Sequence, residues 1–465
     1  MHYPWWYVPY LTAPMLIAVV SVVHVLVSHY AVGGGLFLAV EVGYAYRTRD
    51  RNYLEYLHRH AGFFILVTVV FGAITGVGIW WTIGLASPLA TEVLIRTFVF
   101  GWATEWVFFV VELVAAFIFY YYWGRLTEKT HVIIGWLYAA AAWISLVLIT
   151  GITAFMLNPG VWAMTGTKSH DFWTAFFNPQ FLPQTIARTG GALLLSSLYV
   201  YLHASLTIRD ARLRDLIAAR SARPALLGSV LITAGGIGWY CFLPTSAKAA
   251  LSSAAVLNVL VTLIFVLTIV VFFLLYFGPY RNPGWLSPGF AGSLCLFGIA
   301  AFTSGEFIRE AVRKPFVVYN VVLANQILPE EVPKLRAGGY LEHGVWTKAY
   351  VAEHYPQTIV RGHVDGRKLL RLPHQDRVAL GAVLFQHHCN DCHAAADGYS
   401  AVGPLLGGRT RELVHVIVEH LESVHFMPLW CGTPEESELI TDYLMSVNGP
   451  RPAGMRLGFE SQEEE

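Results

Sequence analysis

Near the carboxyl end of the chain, two cysteines and a histidine are spaced to bind a metal-containing cofactor. Cys389, Cys392 and His393 form the pattern Cys-x-x-Cys-His. In that pattern two thiols can attach a porphyrin through thioether bonds, and the histidine can bind its iron. A CxxC redox pair or a zinc knuckle is the alternative, but a zinc site needs partner cysteines that the sequence lacks. The motif therefore predicts one covalently bound haem c.

The residues around the motif agree with a haem c site. Gly381 and Phe385 precede it at the spacing of a short amphipathic helix whose apolar face can lie against a porphyrin. Gly403-Pro404 follows as a predicted loop. After a predicted helix over residues 411–424, Met427 offers a thioether as the sixth ligand of the iron. We therefore expect a small helical domain around the haem.

Residues 375–448 resemble a class I cytochrome c domain. The resemblance implies that Cys389 and Cys392 anchor the haem and that His393 and Met427 are its axial ligands. The rest of the chain must then deliver electrons to this haem or take them from it.

The composition is that of a membrane protein. Hydrophobic residues make up 55% of the 465 positions and charged residues 13%. The formal net charge is zero, so no nucleic acid partner is predicted. Of the three remaining cysteines, Cys241 and Cys295 fall in apolar segments, which argues against a disulfide framework. We expect membrane lipid around most of the chain.

Eight apolar runs are long enough to cross a bilayer, which takes about 20 helical residues. They cover residues of about 12–46, 60–84, 91–123, 131–157, 184–206, 224–244, 253–278 and 287–311. The predicted fold class is all-α, a polytopic transmembrane helical bundle of about eight spans with a small C-terminal α-helical cytochrome c domain. The expected parts are a membrane domain over 1–316, a partly ordered connecting segment over 317–374, and a haem c domain with an acidic tail over 375–465.

An even number of spans places both termini on one side of the membrane. Haem c is attached outside the cytoplasm, so we expect the C-terminal domain and the N-terminus on the periplasmic side of a prokaryotic inner membrane. Basic residues favour inner loops, and twelve fall in the predicted inner connections against two, Lys168 and Lys248, in the outer ones. The twelve are Arg47, Arg49, Arg51, Arg59, Arg125, Lys129, Arg209, Arg212, Arg214, Arg220, Arg223 and Arg281.

Two histidines lie in the first span, where ionisable groups mark candidate functional sites. His24 and His29 are five residues apart, so they point to different sides of the helix and cannot both face one iron. His24 falls in the outer half of the span and is the candidate iron ligand, with a hydrogen bond to a neighbouring helix as the alternative. For His29 we favour that structural role.

Two carboxylates share one face of the third span. Glu105 and Glu112 are seven residues apart, which places them two turns and roughly 10 Å from each other along the helix axis. No basic partner stands on the same helix, so the pair is suited to carrying protons rather than permanent charge. Polar groups that tie neighbouring helices together are the alternative interpretation.

The outer end of the eighth span carries a further charged group. Glu306 and Glu310 are one turn apart on one face, and Arg313 and Lys314 follow where the helix should leave the membrane. These two basic side chains could meet haem propionates or carboxylates at the interface.

Taken together, these motifs resemble subunit I of the cytochrome bd oxygen reductases. The resemblance covers roughly residues 10–320. It rests on several short motifs that follow one another in the family's order and spacing. They are His24 followed by Gly33-Gly34-Gly35, then Glu105 and Glu112, then Asn158-Pro159 and Asn178-Pro179, and finally Glu310-x-x-Arg313-Lys314-Pro315. Arg313-Lys314-Pro315-Phe316 is a variant of the family's Gly-Arg-Gln-Pro-Trp motif in which only Arg and Pro are kept.

The resemblance implies two membrane haems, of b and/or d type. His24 matches the axial ligand of the oxygen-reducing haem, and Glu310 matches the carboxylate ligand of the neighbouring high-spin haem b. Glu105 and Glu112 match the carboxylates of the proton path. A second membrane subunit and O2 as the substrate are also implied.

The sequence departs from that family where electrons would enter. The position of the family's low-spin haem histidine reads Arg188, which we expect to pair with a haem propionate or a carboxylate. No methionine stands in residues 258–261, and the quinol-binding loop is reduced to about residues 243–252. A ninth span is missing, and the haem c domain stands in its place. These losses predict that a periplasmic cytochrome c or other haem protein, and not quinol, donates the electrons.

Three hypotheses from different classes follow. The first is a bd-like terminal oxidoreductase that reduces O2 to water with electrons received through its own haem c. The second is an electron-transfer membrane cytochrome subunit of a larger respiratory complex without oxygen chemistry. The third is a cytochrome c anchored by an inert membrane domain, against which the intramembrane carboxylates Glu105, Glu112 and Glu310 argue.

Overall fold

Long apolar helices form most of residues 13–311 in a computed structural model of the protein, which describes residues 6–164, 171–424 and 426–448. The chain divides into two units. The unit named here the membrane bundle comprises Ala18–Trp80 and Leu94–Arg313. The unit named the C-terminal unit comprises Met1–Ile17, Trp81–Val93 and Lys314–Glu465. Lys168 and the acidic end of the chain lie outside the described residues.

Twelve helices precede residue 312 in the described part of the chain. They are α1 (Ala13–Thr48), α2 (Arg51–Ile65), α3 (Gly72–Ala86), α4 (Pro88–Thr97), α5 (Val99–Tyr121), α6 (Glu128–Phe155), α7 (Phe172–Phe176), α8 (Phe181–Thr207), α9 (Ala211–Cys241), α10 (Thr245–Ser253), α11 (Ala255–Leu275) and α12 (Pro288–Ala311). A π-helical segment, Leu66–Phe71, joins α2 to α3, and a second one, Tyr276–Tyr280, extends α11.

Among the described residues, seven helical stretches are long and apolar enough to cross a membrane. Helix α8 is also long, at 27 residues, but less apolar, since it carries polar groups such as Gln184 and Arg188. With α8 the bundle has the predicted number of about eight spans, and the all-α fold class is confirmed. The protein is a multi-pass membrane protein.

Two predicted spans differ from the observed helices. The third span is not one long helix, because Phe98 leaves helical geometry (φ −117°, ψ 28°) and separates α4 from α5. The second span begins nine residues earlier than predicted, at Arg51, where the Asp50 side chain accepts a hydrogen bond from the Tyr53 amide and caps the helix. The sequence around Phe98 gives no signal for a break, and the polar first turns of α2 lie outside the apolar run from which the second span was predicted.

Small residues let the bundle helices approach closely. Helices α8 and α9 cross at Gly190 and Gly228, where a Cβ on either glycine would lie 2.6 Å from the carbonyl oxygen of the other. Any larger side chain would therefore separate the two helices. This packing is the form of helix association expected inside a bilayer, where apolar burial alone gives little preference.

The C-terminal unit is helical with two small antiparallel hairpins. Its helices are α13 (Val332–Gly338), α14 (Tyr340–His343), α15 (Thr347–His354), α16 (Gly366–Leu369), α17 (His374–His388), α18 (Val402–Leu406), α19 (Arg411–Glu419) and α20 (Pro434–Val447). The hairpins pair β1 (Phe316–Val318) with β2 (Val322–Leu323) and β3 (Ile359–Val360) with β4 (His363–Val364).

Local predictions in this unit are partly right. Helix α17 is the predicted helix before the cysteine motif. The predicted loop at Gly403-Pro404 is wrong, because a short helix, α18, forms there and ends where Gly407 takes a left-handed conformation (φ 57°). The predicted helix over residues 411–424 ends at Glu419, and only a 3₁₀ turn, Leu421–Ser423, continues it.

The segment 317–374 belongs to the same core as the cysteine motif. Leu335 and Tyr340 from this segment are buried in one hydrophobic cluster with Leu384 and Leu439. The carboxylate of Glu436, on α20, accepts hydrogen bonds from the amides of Tyr340 (2.9 Å), Leu341 (2.7 Å) and Thr433 (3.1 Å). The segment is therefore an ordered part of the unit rather than the partly ordered connection expected from its polar sequence.

Glu342 fixes the β3–β4 hairpin of this unit. Its carboxylate accepts hydrogen bonds from the Lys348 ammonium (2.6 Å), the His363 ring (2.9 Å) and the Val364 amide (2.9 Å). Burial raises the pKa of Glu342, but these bonds outweigh burial and hold the pKa below its ordinary value.

Candidate functional site

His24 lies on α1 against the start of α3. Its Nδ1 is 3.0 Å from the Thr75 hydroxyl, and that hydroxyl donates to the Phe71 carbonyl at 2.9 Å. Gly76 leaves room for the imidazole, since a Cβ there would lie 3.3 Å from His24 Cε1. The hydrogen bond engages Nδ1 and orients the ring, which leaves Nε2 as the nitrogen that could bind an iron.

His29, for which the sequence favours a hydrogen bond to a neighbouring helix, is instead hydrogen-bonded within α1. It is 6% exposed, its Nδ1 donates to the Val25 carbonyl at 2.8 Å, and its ring packs edge-on against Phe302 with centroids 5.4 Å apart. These contacts link α1 to α12.

Glu105 and Glu112 each accept a hydrogen bond from a neutral hydroxyl on α6. Ser145 donates to Glu105 at 2.8 Å, and Tyr138 donates to Glu112 at 2.9 Å. The Tyr138 hydroxyl is also 3.2 Å from the Ala31 carbonyl oxygen on α1. A neutral donor can hydrogen-bond a carboxylate in either protonation state, so the arrangement suits groups that gain and lose protons.

Two acidic residues at the end of α12 are paired within the same helix. Arg309 binds Glu306 at 2.9 Å, and the Arg313 guanidinium contacts the Glu310 carboxylate. Arg313 is 5% exposed and also lies 3.6 Å from the Met156 sulfur. The sequence left open whether Arg313 meets a propionate or a carboxylate, and the described contact is with a carboxylate.

Arg188 and Lys314 lie beside carboxylates as well. Arg188, on α8, interacts electrostatically with Glu306 within the membrane bundle. Lys314 lies in the C-terminal unit near Asp391, within the cysteine motif. The neighbour described for each of these cations is thus a carboxylate.

The cysteine motif forms a tight turn after α17. The amides of Cys392 and His393 both donate to the Cys389 carbonyl, at 3.0 and 2.9 Å. His393 Nδ1 donates to the Ser400 carbonyl at 2.8 Å, which fixes the tautomer and leaves Nε2 for a metal. All five cysteines are free thiols.

Burial shifts the pKa values of the ionisable side chains in this turn. Burial raises the pKa of Asp391 to about 7, with Lys314 opposing the shift, and raises the pKa of the Cys389 thiol to about 12. Burial also lowers the pKa of His393, so its ring is neutral near pH 7, the form that binds iron. Two free thiols and a neutral, oriented histidine fit a covalently bound haem.

The helices around this turn cross closely. A Cβ on Gly381 would collide with the Leu439 carbonyl of α20, and Phe385 packs against Tyr443 with ring centroids 5.3 Å apart. Met427 lies half-buried in the loop after α19, with its amide donating to Val424 at 3.0 Å. Within the described residues, no group of three or more His, Cys, Asp or Glu side chains is arranged to hold a bare metal ion.

Sequence reasoning missed one polar group in the membrane bundle. His60 on α2 and His203 on α8 lie with their Nδ1 atoms 3.1 Å apart, although 143 positions separate them in the chain. Their occurrence in apolar spans was a signal of its own, because histidine at membrane depth is costly. No local motif connects them, so the sequence alone gives neither histidine a partner.

Part of the membrane bundle is similar to known proteins. Residues 13–238 match the family model described as cytochrome bd terminal oxidase subunit I, which is slightly less than half of the chain. The solved structure of bd oxidase from Geobacillus thermodenitrificans is similar over 67% of this chain and 88% of that chain, with a TM-score of 0.57 and 18% identity. No curated protein matches the sequence.

These similarities support a membrane protein with the fold of bd oxidase subunit I, a family of haem-containing oxidoreductases. The matched residues include His24, Glu105, Glu112 and Arg188. The cysteine motif and α12 lie beyond the matched residues.

Proposed function

We propose that the protein is a bd-like terminal oxygen reductase that receives electrons from a cytochrome c through its own haem c. The observation that carries the proposal is the pair Glu105 and Glu112, held by neutral hydroxyls inside the residues that match the bd oxidase family. Reduction of O2 to water consumes as many protons as electrons, so the reaction needs proton carriers at membrane depth.

The carboxylates and their hydroxyl donors would supply this proton path. Glu112 can accept a proton while Tyr138 turns its own hydroxyl toward the Ala31 carbonyl, its second acceptor. Glu105 lies two turns before Glu112 on α5, toward the end of the bundle that contains His24. Protons would thus approach the oxygen-binding haem from one direction.

Two side chains of the membrane bundle would bind the membrane haems. His24 would hold the oxygen-reducing haem through Nε2, and Glu310 would hold the second membrane haem. These groups, of b and/or d type, supply the redox chemistry when bound. Arg313 would orient the Glu310 carboxylate through their ion pair, and a second membrane subunit would complete the complex.

Electrons would enter through the C-terminal unit. Cys389 and Cys392 would anchor haem c, with His393 and Met427 as axial ligands. Arg188 stands where a low-spin haem histidine is expected, and its guanidinium cannot bind iron in the usual way. The donor is therefore a cytochrome c or another haem protein on the periplasmic side, where the N-terminus would also lie.

The test is oxygen consumption by the purified complex with two kinds of donor. Reduced cytochrome c should support turnover, and ubiquinol or menaquinol analogues should not. Cys392→Ala should abolish covalent haem staining and the cytochrome c-driven rate while the membrane haems remain. Quinol-driven oxygen consumption that is undiminished in Cys392→Ala would contradict the proposed donor.

The orientation can be measured independently of activity. A reporter active only outside the cytoplasm should be active when fused after Pro315 and silent when fused after Arg212. The opposite pattern would overturn the periplasmic placement of the C-terminal unit.

One observation favours the second candidate function, an electron-transfer subunit without oxygen chemistry. Glu310 is paired with Arg313, an arrangement that also suits a purely structural ion pair at the helix end. Carbon monoxide binding to the reduced protein separates the two functions. A high-spin haem that binds carbon monoxide and is lost in His24→Ala supports the oxidase, and a protein that binds none is the electron-transfer subunit.

A further inference from the structure

A buried group of one tyrosine and two histidines, named here the histidine relay, lies beside the carboxylates of the membrane bundle. Its members are Tyr30 on α1, His60 on α2 and His203 on α8. Tyr30 and His60 are fully buried, and His203 is half-buried four residues before the end of its helix. Neither the haem sites nor the carboxylate pair uses these side chains.

Hydrogen bonds connect the three residues in a row. The Tyr30 hydroxyl is 3.1 Å from His60 Nε2, and His60 Nδ1 is 3.1 Å from His203 Nδ1. Both ring nitrogens of His60 are thus engaged, one on each side. A neutral imidazole donates from one nitrogen and accepts at the other, so His60 can carry a proton across its own ring.

One proton transfer leaves no net charge on the three residues. A proton arrives at His203 Nε2, and His203 gives its Nδ1 proton to His60 Nδ1. His60 then gives its Nε2 proton to the Tyr30 oxygen, and Tyr30 releases its own hydroxyl proton to the next acceptor. Each residue ends neutral, no electron moves, and exchange of the ring tautomers restores the starting arrangement.

The two ends of the relay lie at different levels of the bundle. His203 precedes the α8–α9 connection, whose flanking residues include Arg209, Arg212 and Arg214, and this end is named the basic end. At the other end, Tyr30 directly precedes Ala31, whose carbonyl oxygen lies 3.2 Å from the Tyr138 hydroxyl. The relay therefore rises from the basic end to the level of Tyr138.

Phe64 separates the relay from the carboxylate pair. Tyr30 and Tyr138 both pack edge-on against its ring, with centroids 5.3 and 5.5 Å away. The Tyr56 hydroxyl, whose ring stacks 5.6 Å from His60, is buried and has no hydrogen-bond partner among the described residues. A water molecule is expected at such a hydroxyl, and it would lie at the His60 end of the relay, because Tyr56 precedes His60 by one turn on α2.

We infer that Tyr30, His60 and His203 conduct protons from the basic end of the membrane bundle to Glu112. The inference rests on the proposed function, because reduction of oxygen is the reaction that would consume these protons. The last step, from the Tyr30 hydroxyl to Glu112 and its Tyr138 donor, would need a bridging water molecule beside Phe64.

His131 shows what a purely structural histidine looks like in the same bundle. It is 1% exposed, its Nδ1 is 2.8 Å from the Tyr46 hydroxyl, and its Nε2 is 3.0 Å from the Phe119 carbonyl oxygen. A backbone carbonyl cannot pass a proton on, so transfer through His131 would stop there. Both neighbours of His60, in contrast, can take up and release a proton.

The experiment uses the complete complex in liposomes that contain a pH-sensitive dye. Proton uptake from the compartment facing the basic end is timed after rapid chemical reduction of the haems, and oxygen consumption is recorded separately. His60→Gln keeps a donor and an acceptor at this position but cannot exchange tautomers. We expect uptake in His60→Gln to slow by at least about tenfold at wild-type haem content, whereas the matched control His131→Gln keeps the wild-type rate.

Each result decides the inference. Wild-type uptake in His60→Gln overturns the relay, and so does a wild-type protein that takes up no protons from that compartment. Slowed uptake in a protein that consumes no oxygen keeps the relay and refutes the oxidase. If His60→Gln fails to assemble its haems, Tyr30→Phe, which removes only the hydroxyl, must show the slowed uptake, and a wild-type rate in that variant overturns the relay.

Discussion

Replacing Glu436 with glutamine should loosen segment 317–374 from the helices around the cysteine motif. The carboxylate is 3% exposed and accepts three backbone amide hydrogen bonds, two of them from Tyr340 and Leu341 in that segment. Glutamine offers one carbonyl oxygen and an NH2 group, so at least one amide must face a donor. Burial raises the pKa of this carboxyl, and the three amides oppose that shift. Loss of one hydrogen bond, with its buried amide left unsatisfied, should cost about 2–4 kcal/mol.

Limited proteolysis measures this loss directly. When opening is fast relative to cleavage, the cleavage rate follows the population of the open state, and a loss of about 2–4 kcal/mol raises that population roughly 30- to 900-fold. Cleavage sites located by mass spectrometry should fall within residues 317–374. Glu435→Gln, at the neighbouring half-buried position, is the matched control. Equal cleavage of the two variants would refute the role given to Glu436.

Three further outcomes are expected. Glu112→Gln should keep the Tyr138 hydrogen bond and the haem content. It should lower the rate of oxygen reduction by roughly 100-fold, because an amide cannot take up and release a proton. Unchanged turnover with cytochrome c would exclude Glu112 from the proton path. His24→Ala should remove one high-spin haem from the optical spectrum of the reduced protein and leave haem c intact, and a wild-type spectrum would show that His24 is no ligand. The pKa of Glu342 is depressed in the folded protein, so its stabilisation is present above the unfolded-state pKa of about 4.3 and is lost as the pH falls through the folded value. The melting temperature of Glu342→Gln should therefore lie below that of the wild type at pH 7 and converge with it once the pH is below the folded-state pKa. A constant difference in melting temperature across this pH range would contradict the linkage.

Apolar run length was enough to predict the membrane bundle, and a local motif was enough to predict the cysteine turn. Each apolar run is a property of neighbouring residues, and so is the turn from Cys389 to His393. The spacing of Glu105 and Glu112 also follows from helix geometry alone. Their donors Ser145 and Tyr138 could not be predicted, because only the packing of α5 against α6 brings them into contact.

Contacts between distant segments account for most of what the sequence did not show. His60 and His203 meet because α2 and α8 both pack on α1, and neither residue has a local pattern. The core of segment 317–374 is built from scattered apolar residues such as Leu335, which polar neighbours, Pro and Gly obscure. The break at Phe98 falls within an apolar run, where hydrophobicity gives no periodic signal.

The π-helical segment Leu66–Phe71 sets the rotational phase of the second span. Before it, Phe64 packs against Tyr30, and after it, Gly76 lies against His24. One extra residue in a turn rotates everything beyond it by about 100° relative to a regular α-helix. Deleting a single residue there would swing Gly76 away from His24 while leaving Phe64 in place. A change of one residue in the length of this segment therefore decides which side chains of α3 face α1. The sequence of a relative that lacks the π-helical segment should align with this span only across a one-residue gap.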